Sequence, residues 1–426
     1  MLGGNPEIID EVRALFAQVD HCPEHGSRIF FENAGGALTL KSVVARSAEH
    51  AAIPDNQGRD NPGSHALTRM IAAAKDDIRL LFNAKGGQVL AGESGTELLF
   101  RLISNAALSH RAAGGAVLGS TFEHPASASA RTRWAEIAGL RAIDVPHDDA
   151  TGRVTPEAYA AAITPDTRVA TVLHTSPVTG MGVDLPGIAA AIRATAPDCL
   201  IIVDGIQHAA HGHIDIEAAG VDGYVISPYK MFSRHGYGLA WISDRLAAVP
   251  HDTLIGGPGE NWELGTRDAG AYATFREVVS YLEWLGGRVG DLPETARRER
   301  IEAAGAAIRA HEGDLVHAML HGTGNQAGLA DLPGVDILGG LDNPAREGLV
   351  SFTLEGREAP WVVAELNTRG IRTHARKADH YSGNILRPLG LEDCTRVSMC
   401  HYNTEAEVAA FLDAMREIAG APSGKA

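Results

Sequence analysis

The stretch CLIIVDGIQ, residues 199–207, decides the fold class of this chain. Its apolar run is followed by an acidic residue, Asp204, and then by a glycine. A short apolar run that ends in a turn signal is typical of a strand buried on both faces of a parallel sheet. We therefore predict that residues 199–203 form a central strand and that Asp204 lies at its carboxyl end.

Six further apolar runs of strand length lie on either side of this stretch, and predicted helices separate several of them. The runs read GQVLAG, GAVLGS, RAIDVP, VATVLHTS, GYVIS (223–227) and GLAWIS (238–243). A strong helical pattern covers residues 66–84. Strands that alternate with helices indicate an α/β fold whose sheet is covered on both faces. The fold class that we predict is thus α/β, with a mostly parallel seven-stranded sheet.

The pattern changes after about residue 275. A long helical region, residues 276–321, is followed by short strands such as VSFTLEG, GIRTH and TRVSMC and by two more helices. This mixture indicates a separate α+β unit. We predict an N-terminal helical segment (1–27) that packs with the small domain, a large domain (28–275) and a small C-terminal domain (276–426).

Composition and charge exclude several functional classes. The chain has 426 residues, with 37 basic and 53 acidic side chains and a net charge of −16. Nucleic acid and anionic membranes attract basic surfaces, so neither is expected as a partner. The four cysteines form no disulfide framework, and no run approaches the ~20 apolar residues of a membrane span. The start of the chain does not read as a signal peptide, so we expect a cytoplasmic protein.

Two predicted strand ends carry side chains suited to cofactor chemistry. Ligands bind at the carboxyl ends of strands in open α/β sheets, which is where Asp204 lies. A buried carboxylate needs a cationic partner, and a protonated pyridine nitrogen would supply one. Gln207 follows at the right place to donate a hydrogen bond to a ring oxygen. Lys230, in ISPYK, directly follows the next strand, where it would form an imine with a bound aldehyde.

Two other segments, GESGTE (92–97) and FEHP (122–125), supply a candidate phosphate loop and a candidate stacking ring. Gly95 and Thr96 precede a helix, and a helix N-terminus is a ready anion site. His124 follows the strand GAVLGS, where an imidazole can stack on a flat ring and relay protons. Each residue alone is more simply a helix cap, a solvated charge or a satisfied polar group. The order of the four segments is what favours a cofactor site.

With these four segments in this order along the sequence, the chain resembles the class V aminotransferases. They are a branch of the fold-type I pyridoxal 5′-phosphate (PLP) enzymes. Within that branch it is most similar to the cysteine desulfurase and selenocysteine lyase group. The resemblance extends from about residue 28 to residue 418. The matching segments are FENAGG, NPGSHALT, GESGTE, FEHPASA, HTSPVTG, VDGIQ, SPYK, ELGT, GIRTH, TRVS and HYNTEAEV. It implies a fold-type I architecture, a PLP cofactor, a small amino-acid substrate and a homodimer with shared active sites.

The resemblance also assigns roles to residues around the ring. Asp204 would face the pyridine nitrogen and Gln207 the phenolic oxygen. His124 would stack on the ring, and Lys230 would hold the aldehyde. These last two would be the catalytic residues.

Phosphate and substrate contacts follow from the same resemblance. Gly95, Thr96 and Ser227 would bind the phosphate, and Thr266 of ELGT would reach the phosphate of the neighbouring subunit. Arg396 would grip the substrate α-carboxylate as a bidentate fork. Two further substrate contacts are assigned to His65, in NPGSHALT, and Asn33, in FENAGG.

Three departures from the family pattern bear on function. Tyr229 stands where the family usually has a histidine. Pro177 stands where desulfurases commonly have an asparagine. Because proline has no side-chain donor, Gln207 or Ser176 would have to donate the hydrogen bond to the ring oxygen. The stretch GIRTHARKADHYSGN lacks the nucleophilic cysteine that desulfurases carry on a mobile loop after this segment.

None of the four cysteines is an obvious substitute for that nucleophile. Cys199 is most simply a core residue, and Cys22 precedes the large domain. If the TRVSMC strand continues with a period of two, Cys400 shares a face with Arg396 and so approaches the site. A rigid strand is nevertheless a poor carrier for sulfur that must move to an acceptor.

Two clusters of charged or metal-binding residue types have alternative interpretations. The basic segment 372–380 is either a solvated turn or a site for a second negative group of the substrate, such as a sulfinate, sulfonate or carboxylate. His208, His211 and His213 have a spacing that occurs in zinc sites, but they follow Asp204 in a predicted turn. We therefore predict no metal site.

The predicted activity is β-elimination from a cysteine-type amino acid, as a C–S lyase or a desulfurase-like enzyme. The absence of the loop cysteine favours the lyase. An aminotransferase or amino-acid epimerase of specialised metabolism is the alternative. A PLP fold without catalysis is a third possibility, although it has no chemical need to retain Lys230, Asp204, His124 and Arg396 together.

Overall fold

The computed structural model describes residue 2 and residues 4–420 of the chain. Residues 1, 3 and 421–426 lie outside the described part of the chain. They belong to the predicted N-terminal segment and the predicted small domain. Within the described part, no helix combines the length and the apolar character needed to cross a bilayer.

The helices, in chain order, are α1 (Pro6–Leu15), α2 (Lys41–Ala51), α3 (Pro62–Phe82), α4 (Gly95–Ser109), α5 (Pro125–Ala138), α6 (Pro156–Ala162), α7 (Leu185–Thr195), α8 (Ile216–Ala219), α9 (Asp244–Ala247), α10 (Ala269–Gly290), α11 (Arg297–His321), α12 (Ala359–Thr368), α13 (Gly383–Leu386) and α14 (Glu405–Gly420). Short 3₁₀ turns lie at His208–Ala210, Pro228–Lys230, Leu329–Asp331 and Arg387–Leu389.

The strands, in chain order, are β1 (His21–Cys22), β2 (Gly26–Ser27), β3 (Ile29–Phe30), β4 (Gln88–Gly92), β5 (Ala116–Ser120), β6 (Arg141–Val145), β7 (Thr167–Leu173), β8 (Leu200–Asp204), β9 (Gly223–Ile226), β10 (Gly238–Ile242), β11 (Val335–Ile337), β12 (Leu349–Leu354), β13 (Ile371–Arg372), β14 (His374–Lys377) and β15 (Asp393–Ser398).

Several helices begin where the sequence supplies a capping side chain followed by proline. Asn61 accepts a hydrogen bond from the backbone of Ser64 before α3, and Pro62 then occupies the first turn. His124 and Pro125 have the same arrangement at the start of α5. A cap satisfies one of the free N–H groups, and proline at this position costs no hydrogen bond.

The seven predicted strands of the large sheet all form, in the order β4-β10-β9-β8-β7-β5-β6. Strand β10 is antiparallel to both of its neighbours, and the other pairs are parallel. The predicted α/β class with a mostly parallel seven-stranded sheet is confirmed. Because β4 runs parallel to β9, the carboxyl ends of β4, β5, β7, β8 and β9 lie at one edge.

Strand β8 shows why this sheet is stable. Ile201 and Val203 belong to one apolar core, and Leu200 and Ile202 belong to another on the opposite face. A fully buried aliphatic side chain contributes roughly 1.5–3 kcal/mol. Both faces are therefore covered, and the polar Asp204 that ends the strand is held in an apolar environment.

A second, four-stranded antiparallel sheet has the order β11-β12-β15-β14. Its apolar residues form their own core with α11, α12 and α14, and Phe31 from the start of the chain belongs to it. The predicted boundary after residue 275 falls inside α10, which packs on α2, α3 and α11. The three-part division of the chain stays a prediction.

Two details differ from the sequence predictions. Residues 374–377 are not a solvated turn, because they form β14 and pair with β15. Strand β15 ends at Ser398, so Cys400 does not continue its face. Cys400 instead lies fully buried beside His211 and Glu312.

Candidate active site

One cavity opens at the edge where the carboxyl ends of the parallel strands meet. Its volume is small, about 70 Å³. Six of the residues predicted for the cofactor line it, together with further residues from the ends of β7, β8 and β9. The lining residues are Thr96, His124, Leu173, Pro177, Asp204, Ile206, Gln207, Ser227, Tyr229 and Lys230.

Asp204 is the buried acid of this cavity. Its Oδ1 atom accepts a hydrogen bond from the backbone N–H of Ile206 over 3.1 Å, and Oδ2 has no hydrogen-bond partner in the described part of the chain. Burial raises the pKa of Asp204 to about 6, although that backbone bond and Lys230 act in the opposite direction. A carboxylate in this position gains from a cationic partner in the cavity.

Lys230 lies across the cavity, at the end of the 3₁₀ turn that follows β9. Its Nζ atom donates to Oε1 of Gln207 over 3.2 Å. Burial and the positive charges of Arg396 and Arg376 lower the pKa of Lys230 to about 7, and Asp204 offsets part of that effect. A large fraction of this amine is therefore neutral near pH 7, which makes it a usable nucleophile and base.

Gln207 is fixed by a pair of buried side chains that the sequence did not reveal. Its Nε2 atom lies 3.1 Å from Nε2 of His211, and Nδ1 of His211 lies 2.7 Å from Oε2 of Glu312. Glu312 is on α11, 101 residues further along the chain. Its contribution to the site depends on tertiary packing, which no local motif signals.

The three histidines weighed as a zinc cluster have different partners. His208 is paired with Glu347 over 2.8 Å, whereas His211 is paired with Glu312, and His213 is exposed. His208 also stacks on His174, with ring centroids 3.6 Å apart. His208 and His211 therefore belong to two separate buried pairs, one with Glu347 and one with Glu312.

The N-terminus of α4 and the turn after β9 form a tight cradle. A Cβ atom on Gly95 would lie 2.5 Å from Oγ of Ser227 and 2.6 Å from Cδ1 of Ile206, so a larger residue would displace one of these side chains. The hydroxyls of Thr96 and Ser227 line the cavity and have no hydrogen-bond partner among residues 4–420. Free hydroxyls at a helix N-terminus are typical of an anion site.

His124 supplies a neutral ring on the β5 side of the cavity. Its Nδ1 atom accepts a hydrogen bond from the backbone of Ala126 over 3.2 Å. Burial, together with the charges of Lys230 and Arg376, lowers the pKa of His124 to about 4. A neutral imidazole is suited to stacking on a flat, positively charged ring.

Arg396, on β15, reaches the cavity wall from the small sheet. Its side chain is only 2% exposed, and Nη1 donates to the carbonyl of Pro177 over 2.8 Å. The Nε atom of Arg396 is buried without a partner. Pro177 thus contributes a carbonyl where the family pattern has an amide. Ser176 does not line the cavity, and its hydroxyl oxygen accepts hydrogen bonds from the backbone of Val178 and Thr179.

Three predicted contacts are not brought to this cavity. Asn33 is buried, and its amide donates to the carbonyl of Ser398 and to Asn403, while its oxygen accepts from Tyr402. His65 is exposed on the first turn of α3. Thr266 lies in an exposed loop, 3.4 Å from the amide of Asn56. Their assigned roles stay predictions, and for Thr266 that role concerns a second subunit.

The polar and charged side chains of the cavity fit one kind of ligand. A flat ring with a basic nitrogen would face Asp204, and its ring oxygen would meet Gln207. An aldehyde on the ring would meet the amine of Lys230. An anionic group at the end of the ligand would occupy the cradle at Gly95.

The fold and sequence relate the chain to a known family. The family model described as "Aminotransferase class-V" matches residues 29–282 and 299–411. A "Probable cysteine desulfurase" of Pseudomonas putida is 28% identical over 384 residues, which cover 88% of this chain and 89% of that protein. The "Cysteine desulfurase-like protein ustD" of Aspergillus flavus is 26% identical and covers 92% of this chain and 88% of its own.

Two solved structures have a similar fold. A cysteine desulfurase of Thermococcus onnurineus superposes with a TM-score of 0.80 at 21% identity, covering 96% of this chain and 98% of its own. The cysteine desulfurase CsdA of Escherichia coli gives a TM-score of 0.75 at 21% identity and the same coverage. At this identity the likeness concerns the fold.

Proposed function

Because the chain belongs to the class-V aminotransferase family, whose members are PLP-dependent enzymes, we propose that it binds PLP on Lys230 and catalyses β-elimination from a cysteine-type amino acid. The observation that carries the proposal is the meeting of Lys230, Asp204 and Gln207 in one cavity, beside the cradle at Gly95. The family relatives named as cysteine desulfurases support the choice of substrate class.

Each part of the cavity has a task in this proposal. Asp204 holds a proton on the ring nitrogen, and Gln207 orients the ring through its oxygen. Thr96 and Ser227 bind the phosphate with the N–H groups of α4. When bound, the cofactor supplies an electron sink for the negative charge that develops on the α-carbon of the substrate.

Lys230 and Arg396 act on the substrate itself. Arg396 binds the α-carboxylate and fixes the α-carbon next to the amine of Lys230, which takes the α-proton. The C–S bond then breaks with its electron pair on sulfur, and the sulfur group leaves with a proton. Water converts the unsaturated amino acid that remains into an α-keto acid and ammonia.

The cysteines favour elimination over persulfide transfer. Cys199, Cys394 and Cys400 are buried, and burial raises the pKa of each thiol, to about 12 for Cys199 and about 11 for Cys394. Cys22 is the one partly exposed cysteine among the described residues, and it does not line the cavity. A thiol that stays protonated at pH 7 is a poor nucleophile for sulfur.

The subunit arrangement and location complete the proposal. We propose a cytoplasmic homodimer in which Thr266 of each subunit reaches the phosphate of the other. The exposed position of Thr266, away from its own cavity, supports this assignment.

Product analysis tests the proposed reaction. The PLP-loaded protein is incubated with L-cysteine, and pyruvate, sulfide and alanine are measured. We expect pyruvate and sulfide in equal amounts, and Cys22→Ser should leave both unchanged within twofold. Alanine with enzyme-bound sulfur that disappears in Cys22→Ser would contradict the lyase assignment. A keto acid formed only once per active site, until an acceptor keto acid is added, would instead identify an aminotransferase.

A further inference from the structure

Two arginines of the small sheet, Arg376 and Arg396, lie on the same face of that sheet. In the register of β14 and β15, Arg376 is opposite Cys394, and His374 is opposite Arg396. Side chains two residues apart on a strand share a face, so Arg376 and Arg396 are diagonal neighbours on one face. The hypothesis that segment 372–380 binds a second negative group of the substrate therefore has a geometric basis.

Neither guanidinium is neutralised. Arg396 makes a single hydrogen bond, to Pro177, and Arg376 makes a single one, from Nη2 to the carbonyl of Tyr381 over 3.2 Å. The Nε atom of each is buried and has no partner. Neither arginine forms an ion pair with any carboxylate among residues 4–420. Each guanidinium has five N–H donors, so both retain unused donors.

Arg346 shows what a purely structural buried arginine looks like in this protein. It is 8% exposed, and its two Nη atoms donate to four backbone carbonyls. These carbonyls belong to Thr179, Leu338, Gly340 and Leu349. Arg376 and Arg396 have one carbonyl each. The Nε atom of Arg346 is also buried without a partner, so the difference lies in the Nη donors, which Arg376 and Arg396 leave available for a ligand.

Nearby acids do not supply the missing anion. The charge of Glu32 acts on Arg396, but its oxygens are bound by Arg372 over 2.7 Å and by His374 over 3.2 Å. Asp379 is exposed and accepts a hydrogen bond from the backbone of Tyr381. The positive charge of the pair is thus left for the cavity.

The segment after β14 holds Arg376 next to the cofactor residues. Asn384 donates hydrogen bonds to the carbonyls of Thr121 and Glu123, which ties this segment to the start of α5. The ring of Tyr381 lies 6.0 Å from the ring of His124. The charge of Arg376 lowers the pKa of both His124 and Lys230, as expected of a neighbouring cation.

We propose that Arg376 is a specificity-determining residue that binds a second anionic group of the substrate, so that the enzyme prefers cysteine-type amino acids whose side chain ends in a sulfinate or a carboxylate. The assignment of Arg396 to the α-carboxylate, and thus the orientation of the substrate, rests on the proposed function. Two guanidinium groups on one face then hold the two ends of a short, doubly charged molecule. A hydrogen bond between charged groups contributes roughly 1.5–3 kcal/mol, which corresponds to a preference of about tenfold or more.

The test uses ligands that bind without reacting. Calorimetry measures the binding of succinate and of butyrate, which have the same number of carbons but two charges and one. The wild-type protein should bind succinate at least about tenfold more tightly, and Arg376→Gln should remove most of that preference. Lys377→Gln makes the same change in charge on the exposed, opposite face of β14 and should alter neither affinity by more than twofold. Arg376→Lys, which keeps the charge, should retain part of the preference.

Substrate titrations separate the two kinds of anion. In the PLP-loaded protein, L-aspartate and L-cysteine sulfinate should both perturb the cofactor absorption at lower concentration than L-alanine, and the tighter of the two identifies the natural end group. Equal binding of succinate and butyrate, or an unchanged preference in both Arg376 variants, would overturn the inference. A preference for succinate in a protein that binds no PLP would overturn the proposed function and leave the two-arginine site in place.

Discussion

The Nζ atom of Lys230 donates a hydrogen bond to Oε1 of Gln207, 3.2 Å away. The other end of the same amide meets His211, which is itself paired with Glu312. In this orientation Nε2 of Gln207 donates to His211, whose proton is on Nδ1 and is shared with Glu312. A buried chain of four residues therefore sets the position of the group that faces the ring oxygen.

We expect that breaking this chain alters the cofactor and also destabilises the fold, because the buried Glu312 loses its partner. His211→Phe keeps the ring volume but removes both hydrogen bonds, so the Gln207 amide loses its fixed orientation. The absorption maximum of the bound cofactor should shift, and kcat should fall by about tenfold, the loss expected for one net hydrogen bond of ~1.4 kcal/mol. His213→Ala, in the same loop but exposed, is the control. A variant with lower thermal stability but an unchanged spectrum would mean that His211 is only structural.

The lowered pKa of Lys230 predicts how attachment of the cofactor depends on pH. Protonated amine cannot attack the aldehyde, so the rate should rise about tenfold per pH unit below 7 and level off above it. Rapid mixing of apo-protein with PLP between pH 5.5 and 9 measures this rate. Arg396→Gln removes a neighbouring cation and should move the midpoint upward. A rate that continues to rise tenfold per unit up to pH 9 would show an ordinary, solvated lysine.

The cradle at Gly95 predicts a loss of cofactor affinity when a methyl group is added. In Gly95→Ala the new Cβ meets Ser227 and Ile206 at distances that force one of them to move. We expect the Kd for PLP to increase by at least about tenfold, from a loss of ~1.4 kcal/mol, as measured by equilibrium dialysis. Gly313→Ala, at an exposed position in α11 with nothing within 4 Å, is the matched control and should leave the affinity unchanged. Equal affinities in wild type and Gly95→Ala would place the phosphate elsewhere.

Much of the large domain was predictable because most of its strands are buried on both faces. The segment CLIIV can be recognised as a strand from its own residues, without knowledge of the neighbouring strands. The topology of the sheet then predicts where the residues at the strand ends lie. Asp204, Lys230, Thr96 and His124 were placed in this way, and they line one cavity. The geometry of a parallel sheet brings such residues together, whatever the loops between them.

The parts that the sequence did not reveal depend on long-range packing. Glu312 meets His211 across 101 residues, and Arg376 joins Arg396 only through the register of β14 and β15. The basic segment was compatible with a turn because its charges hide the strand period. Cys400 was placed on the wrong face because β15 ends two residues earlier than the apolar pattern indicated. Asn33 was assigned a substrate contact, but its amide donates to groups in the protein interior.

The central claim is that PLP is bound through Lys230, and one measurement tests it directly. The protein is loaded with PLP, reduced with borohydride to fix the cofactor to its amine, digested and mapped by mass spectrometry. We predict that the cofactor is found on the peptide that contains Lys230, and that Lys230→Ala carries none. A label on another lysine, or no label after full loading, would show that Lys230 does not hold the cofactor.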